Sequence, residues 1–340
     1  MPVDIGIDMG TSNTVICVGK SIVLDEPSVI SIETETGRPL KFGYEAYKMI
    51  GRTPDKITTV CPIQRGVIAS YDEAEQLLRY FLKKAYNGKI VKPRVMFSMP
   101  AGITAVQQRS FMSALQAAGA RNICPIESPV AAAIGVGVDF TKPHGTIVVD
   151  IGAGSTDIAV LSMGGLAQYD SVRIASSDFN EAIVNHIRKE HNILVGYHTA
   201  ENIKLQIGSV VRTPVEITMI VKGRNLYTGL PQVFEVTANE ICDAISDVSQ
   251  SICSAVQSVL EKTPPELVGD IAKDGLILTG GGSLIRGMKE RMEHSIGIKA
   301  QLVSDPKLCV AYGISKALKN FDLLKNGDYE FRSLQDLVIE

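Results

Sequence analysis

The sequence predicts an α/β protein built as two related lobes that face each other. Three observations carry this expectation. At 340 residues the chain exceeds what one hydrophobic core usually serves. Apolar runs of strand length alternate with amphipathic helical stretches, the pattern of α/β architecture. Finally, one strand–loop–strand unit occurs twice, as GIDMGTSNTVICV near the N-terminus and VVDIGAGSTDIAV in the second half. Each copy reads apolar strand, Asp, apolar residue, Gly, a loop of small and hydroxyl residues, then strand. Asp8 and Asp150 head the two loops, 142 residues apart, and a duplication at that spacing suggests two facing domains.

In chain order, Val3, Ile5 and Ile7 alternate, DMGTSNT (8–14) makes a polar turn and VICV (15–18) resumes a strand, which is a β-hairpin. Further strands are expected at 28–33, 94–99 and 122–126. Leu77, Leu78, Phe81, Leu82 and Ala85 fall on one face of a helix over 71–86. Thr104 with Gln107 forms a capping-box pattern for the next helix, and Gly119 suits its stop. At 145 the pattern restarts, with GTIVVD (145–150) as a buried strand, IGAGST (151–156) as a loop and DIAVLS (157–162) as a strand. A capped helix over 177–191 and a short one over 199–208 follow, then strands around 214–221 and 233–236. Ile241, Ile245, Val248, Ile252, Val256 and Val259 set a long helix over 239–262, ended by Pro264 and Pro265. LILTGGGSLIRG (276–287) reads as a strand, a triple-glycine turn and a helix start. No low-complexity linker interrupts the chain, so the lobes are expected to be packed or hinged rather than tethered.

Hydrophobic residues make up 45% and charged residues 21%, globular proportions that argue against extensive disorder. The net charge of −3, without a long basic run, makes nucleic acid a poor partner, because neutralising phosphates takes clustered Lys and Arg. Six cysteines (Cys17, Cys61, Cys124, Cys242, Cys253 and Cys309) are scattered, with neither a CxxC pair nor a histidine at ligand spacing. They read as reduced, mostly buried thiols of a cytosolic protein, not as a zinc site or a disulfide framework. No signal-peptide pattern precedes the first strand, and no apolar run approaches the ~20 residues a membrane span needs. The expectation is a cytoplasmic protein, not integral to a membrane, with peripheral contact left open.

Two Gly-rich hairpin tips and one Gly-rich strand–helix turn point to phosphates. Glycines let backbone N–H groups approach an anion, and Ser/Thr hydroxyls add donors. A strand, not a helix, follows each of the first two loops, which excludes the dinucleotide fingerprint and the GxxxxGK[ST] loop. One such loop alone would read as a plain turn. Three, with an Asp heading each of the first two, favour a phosphate cradle. Asp8 and Asp150 stand at strand ends, where a carboxylate can hold Mg²⁺ through water while the ion bridges nucleotide phosphates. A single Asp could equally cap its own turn; two in matching units favour the metal.

These loops, in this order, resemble the superfamily of actins, heat-shock chaperone ATPases and sugar kinases. The closer resemblance is to the MreB family of bacterial actins. It rests on LDEPSVI (24–30), IGRTP (50–54), GVIASYD (66–72), KPRVMFSMPAGIT (92–104), AGAR (118–121) and PVAAAIG (129–135), and on TAENIKLQIGS (199–209), LEKTPPELVGDI (260–271) and LTGGGSLIRG. It extends from about residue 3 to about 325, and chaperones and kinases share the loops but not these intervening strings. The resemblance implies an actin-like fold, two lobes each with a small subdomain around a nucleotide cleft. Lobe I would span 1–141 with its small subdomain near 32–65, and lobe II 142–310 with its own near 181–262. Residues 311–340 would form a C-terminal helix and tail packing back on lobe I. ATP or ADP with Mg²⁺ is the implied cofactor. Gly10, Thr11, Ser12 and Asn13 match the first phosphate loop, Gly152, Ala153, Gly154 and Ser155 the second, and Gly280, Gly281, Gly282 and Ser283 the turn beneath the nucleotide. Glu201 and Lys204 match the adenosine contacts, although spacing alone would make them a surface i,i+3 ion pair. The implied function is a filament that organises cell shape at the cytoplasmic face of the membrane. Its implied partners are further copies of itself, the inner membrane surface, and cell-shape or wall-synthesis membrane proteins.

The chain departs from the family pattern at three places. Where the family has a Glu before the proline of its EPxAAAIG string, this chain has Ser128, and the neighbouring Glu127 should point the other way along the strand. Ser128 followed by Pro129 would also make a good N-cap and first-turn pair for the next helix. The second loop carries Asp157 where most members have a Glu, and Ser176 stands where the family has a Gly. Nucleotide binding is therefore expected with slow hydrolysis, Asp157 partly substituting by orienting water. A chaperone-type ATPase would carry a substrate-binding domain after the ATPase, and a small-molecule kinase would need a sugar pocket and a catalytic base. The chain stops at 340 and no inserted segment offers such a pocket.

MreB proteins commonly insert apolar residues from a first-domain loop or an amphipathic N-terminus. Here the N-terminus enters its strand at once, which leaves Ile90 and Val91 at a loop tip flanked by Lys83, Lys84, Lys89, Lys92 and Arg94. Each basic residue near an anionic leaflet is worth ~1 kcal/mol; alternatively, Ile90 and Val91 simply begin the next strand. Replacing both with Ser is expected to reduce co-sedimentation with anionic liposomes, and unchanged binding would remove them from any membrane contact.

Overall fold

The computed structural model describes residues 3–86 and 92–320. The first half opens with β1 (Asp4–Met9), β2 (Asn13–Val18) and β3 (Ser21–Pro27), an antiparallel meander. The chain then builds a three-stranded sheet from β4 (Ile30–Glu33), β5 (Pro39–Phe42) and β6 (Ile57–Val60), with helix α1 (Gly43–Tyr47) beside it. A short hairpin follows, β7 (Ile63–Gln64) and β8 (Val67–Ile68), then α2 (Tyr71–Tyr86), β9 (Arg94–Met99), α3 (Ala105–Ala118), β10 (Asn122–Glu127) and α4 (Ser128–Val136). β9 pairs in parallel with β1, and β10 with β9, giving a five-stranded sheet of order β10-β9-β1-β2-β3.

The second half repeats this plan. β11 (Thr146–Ile151), β12 (Thr156–Ser162) and β13 (Gly165–Val172) form the meander. α5 (Ser176–His191) leads through β14 (Ile193–Leu194) and α6 (Tyr197–Ile207) to β15 (Thr218–Asn225) and β16 (Pro231–Thr237), whose small sheet has the order β14-β15-β16. After α7 (Ala238–Lys262) and α8 (Pro265–Asp274) come β17 (Leu276–Thr279), α9 (Met288–Ile296), β18 (Ala300–Leu302) and α10 (Cys309–Ala317). β17 and β18 add in parallel, so the large sheet is ordered β18-β17-β11-β12-β13, the same topology as the first.

Strand alternation sorts each sheet's side chains onto two helix layers. From β1 and β9, Ile5, Ile7, Val95 and Phe97 join Leu77, Phe81 and Leu115 of α2 and α3 in one core. Met96, one residue out of step, joins a second core with Val130 and Ile134 of α4 and Ile314 of α10. The other sheet does the same: Ile147, Val149 and Ile151 enter the second-half core, whereas Val148 faces the α4–α10 layer. The two helices therefore lie between the sheets. They cross in backbone contact, because a Cβ on Gly313 would stand 1.6 Å from the Ala131 carbonyl oxygen and one on Gly135 2.2 Å from that of Cys309.

The helix over 71–86, the strand at 94–99, the Thr104–Gln107 capping box and the Gly119 stop, at φ 113°, all stand where the sequence placed them. Other elements differ. The expected strand at 28–33 begins only at Ile30, because Ser28 turns the chain, its N–H donating to the Ser12 carbonyl and its hydroxyl to Gly10. β15 starts at Thr218, not 214; the segment before it is tied instead to Asn239 through Thr213 and Glu216. Pro264 and Pro265 do end α7, but Pro265 also opens α8, because proline suits a first helical turn. After the triple glycine a 3₁₀ turn (Gly281–Leu284) intervenes before α9. α10 begins at Cys309, not 311.

All six cysteines are separate thiols, five buried and Cys61 half-buried. No helix among the described residues is long and apolar enough to cross a membrane. Ile90 and Val91 lie outside the described residues. Of their basic neighbours, Lys84 pairs with Glu26, and Arg94 binds Asp4 through two nitrogens at 2.6 and 2.7 Å.

The crossing gives a paired prediction. Gly313→Val must push two backbones apart, a strain of about 1–3 kcal/mol or more, and should lower the thermal midpoint by several degrees. Gly269→Ala, in α8 where a Cβ would meet nothing, should raise stability by up to about 1 kcal/mol. A Gly313 variant as stable as the parent chain would show that the helices have slack.

Candidate functional site

A cleft of about 520 Å³ opens between the halves, where the two opening hairpins turn towards each other. Both tips close in the same way. The N–H of Gly10 donates to Asn13 O at 3.0 Å, and that of Gly152 to Ser155 O at 2.9 Å. The tips nearly touch, for a Cβ on Gly154 would stand 2.4 Å from the Thr11 hydroxyl oxygen. That oxygen accepts from the N–H of Gly66, in the β7–β8 turn, at 3.1 Å. The third turn fits beneath the second loop only because Gly280 has φ +83° and no side chain; a Cβ there would lie 2.3 Å from Ile151 O and 2.4 Å from Asp150 Oδ1.

The cleft is lined by Gly10, Thr11, Ser12 and Asn13 from one half, and by Gly152, Ala153, Gly154, Ser155 and Gly280 to Gly282 from the other. Ser283 does not line it. Its buried hydroxyl donates to Gly280 O at 2.6 Å and braces the turn.

Three carboxylates meet at the floor. Asp8 accepts from the Ser98 hydroxyl at 2.6 Å, and burial pushes its carboxyl up to about 6. Asp150 and Asp157 are register partners across β11 and β12, only 8% and 4% exposed. Like charges directly opposite in a sheet repel. Burial, then Asp157 and Asp8, hold the Asp150 carboxyl well above the usual range. Asp157 is likewise pushed up to about 6 by burial, against hydrogen bonds that include one from Ser155 at 3.1 Å and one from the Ala101 N–H at 3.3 Å. Among the described residues no group of three or more acidic, His or Cys side chains could hold a metal ion by itself. Ionising all three carboxylates together is therefore costly, and a cation beside them would offset that charge.

Ser128 lines the cleft, but not as the N-cap its sequence suggests. Glu127 is the N-cap and Ser128 the first helical residue, because its hydroxyl is drawn to the Met99 carbonyl at 3.1 Å instead of to the helix N–H groups. Glu127 does not line the cleft, and burial raises its carboxyl above the usual value.

Glu201 and Lys204 are no surface ion pair. Lys204 is 7% exposed, and its ammonium donates to Glu201 at 3.0 Å and to the Ser176 hydroxyl at 2.8 Å. Burial lowers its pKa despite Glu201, which also accepts from the Asn180 amide. Sequence reasoning passed over Tyr197, one turn before Glu201 on the same helix face, a signal that was available. It also passed over Ser98, Asp25, Tyr44 and Lys307, which line the cleft from four separate segments and share no pattern.

The model of the MreB/Mbl protein family matches residues 2–326. The chain belongs to the MreB/Mbl family. It is 40% identical over 323 residues to the cell shape-determining protein Mbl of Bacillus cereus, covering 94% of this chain and 97% of that protein. To the cell shape-determining protein MreB of Escherichia coli it is 41% identical over 327 residues, with 94% of each covered. Its structure is similar to that of MreB5 of Spiroplasma citri bound to AMPPNP, at TM-score 0.90 and 32% identity over 96% of this chain and 99% of that one. A MamK double helical filament shares the fold at TM-score 0.79 and 23% identity, over 95% and 99% of the chains. This MreB/Mbl member thus has the actin-like fold, which explains why its two large sheets share one topology.

The acid cluster predicts a pH effect of definite sign. An acid whose folded pKa is raised holds its proton more tightly when folded, so stability falls as pH climbs from the usual carboxylate range through about 6. Asp150→Asn should therefore raise the melting temperature of the ligand-free chain by a few degrees at pH 7.5 and by much less at pH 5. A lower melting temperature for the variant at pH 7.5 would show that the carboxylate is stabilised by its surroundings.

Proposed function

We propose that this chain binds ATP or ADP with Mg²⁺ and assembles with its own copies into filaments that organise cell shape at the cytoplasmic face of the membrane. The observation that carries this reading is the convergence of three glycine turns and three crowded carboxylates on one cleft between two sheets of identical topology. Its relatives' names, cell shape-determining proteins, and the AMPPNP-bound and ADP-bound MreB5 neighbours support it. We read residues 1–141 and 142–310 as the two lobes, with the membrane surface and cell-shape or wall-synthesis membrane proteins as further partners.

The roles follow from the geometry. Backbone N–H groups and hydroxyls of the 10–13 and 152–155 loops would receive the phosphates. Tyr197, Glu201 and Lys204 form the wall that would receive the nucleoside. Asp8 and Asp150 would hold Mg²⁺, which when bound offsets phosphate charge. Ser128 is a poor base: its proton is committed to the Met99 carbonyl, and nothing among its hydrogen bonds draws that proton away. Asp157 lines the cleft and can orient a water, but both of its oxygens already accept hydrogen bonds. We therefore read hydrolysis as slow.

A positioned general base is typically worth 10²–10⁴-fold in rate. Sedimentation and phosphate release on one preparation test the proposal together. ATP·Mg²⁺ should bring the protein into the pellet, and Ser128→Glu should raise phosphate release at least tenfold with ATP affinity unchanged. A chain that ignores millimolar ATP in both assays would refute nucleotide-dependent assembly. Unchanged release from Ser128→Glu would refute the carboxylate argument alone.

A further inference from the structure

Away from the phosphate loops, the halves also meet through aromatic rings. α1 stands beside the small sheet of the first half, and α6 packs near the small sheet of the second. Each sends a tyrosine to the cleft, Tyr44 from α1 and Tyr197 from α6. Next to them, Tyr47 and His198 touch across the divide. Their ring centroids are 4.6 Å apart at 81°, an edge-to-face pair, and the His198 ring lies 6.2 Å from that of Tyr197 at 74°. Burial, and then the Glu201 carboxylate and Tyr197, raise the Tyr47 phenol above its usual value.

This contact differs from the others that bridge the halves. α4 and α10 meet backbone to backbone and cannot separate without disturbing both sheets. Arg65 reaches the Arg173 carbonyl at 2.9 Å and Asp178 at 3.5 Å, beside the loops. Tyr47 and His198 are half-buried side chains on helices that each sheet holds independently, so their rings can part while the sheets stay intact. Neither ring itself lines the cleft, but His198 adjoins Tyr197, which does, so the pair bridges the halves beside the wall formed by Tyr197, Glu201 and Lys204.

We propose that the Tyr47–His198 pair is a gate on the cleft, whose rings must separate before a bound nucleotide leaves, so that the pair sets the release rate. This rests on the reading that the cleft binds ATP or ADP. Such a ring pair, when broken in the transition state for release, slows it by a few-fold to about tenfold.

The test loads the full chain with an etheno-adenine diphosphate and chases it with excess unlabelled ATP in a stopped-flow instrument. Tyr47→Ala and His198→Ala should each release the label a few-fold to tenfold faster than the parent chain. His198→Phe, which keeps an edge-to-face ring, should release at about the parent rate. The double alanine variant should be no faster than the single ones, because both remove the same contact. If the parent chain retains the label but all variants release it at the parent rate, the gate is overturned and nucleotide binding stands. Failure of the parent chain to retain any label would overturn both. His198→Ala decides the matter alone should Tyr47→Ala fail to fold.

Discussion

A side chain at position 313 would occupy the space of the Ala131 carbonyl, and one at 135 that of Cys309. Everything else in the fold is arranged around this contact. α4 ends the first sheet's chain path and α10 the second's, and each helix also supplies apolar side chains to the core that both sheets share. Because the helices touch through backbone, the sheets are held at a fixed spacing on this side. Both helices also reach the cleft, through Ser128 and Val310, and the opening hairpins converge beside them, with Thr11 close against Gly154. Glycine at both positions is therefore a condition for the cleft as much as for the core.

The cleft so formed works against the fold's own stability. Burying three carboxylates close together raises the cost of ionising each, and the register that sets Asp150 opposite Asp157 adds repulsion. Proteins retain such strain where a ligand relieves it, and a cation with phosphates would do so here. The same buried setting explains Lys204. Its ammonium is desolvated, so it is satisfied by Glu201 and by Ser176, whose hydroxyl is available because this chain has no glycine there.

The links between the halves are graded in strength. Backbone contact at the helices is stiff, the hydrogen bonds of Arg65 to Arg173 and of the Ala101 N–H to Asp157 are intermediate, and the ring pair of Tyr47 and His198 is soft. A two-lobed molecule tied in this order opens first where it is held least.

The sequence by itself determined the duplicated hairpins, the long amphipathic helices and the loop residues, because these rest on short-range rules: alternation, helical periodicity, capping, and glycine's freedom at turns. Asp8, Asp150 and the glycine loops were legible for that reason. β3, α8 and the start of β15 were not, since a neighbouring strand, a proline that both stops and starts a helix, and tethering by Asn239 decide them. Spacing alone made Glu201 and Lys204 a surface pair, and local preference made Ser128 a cap. Tertiary structure buried Lys204, with Glu201 half-buried beside it, and turned the Ser128 hydroxyl to Met99. Only the folded chain could bring Asp157 against Asp150, close Gly313 onto Ala131 and set Tyr47 against His198. Burial, like-charge proximity and ring contact arise between segments far apart in sequence, and no local pattern encodes which of them will meet.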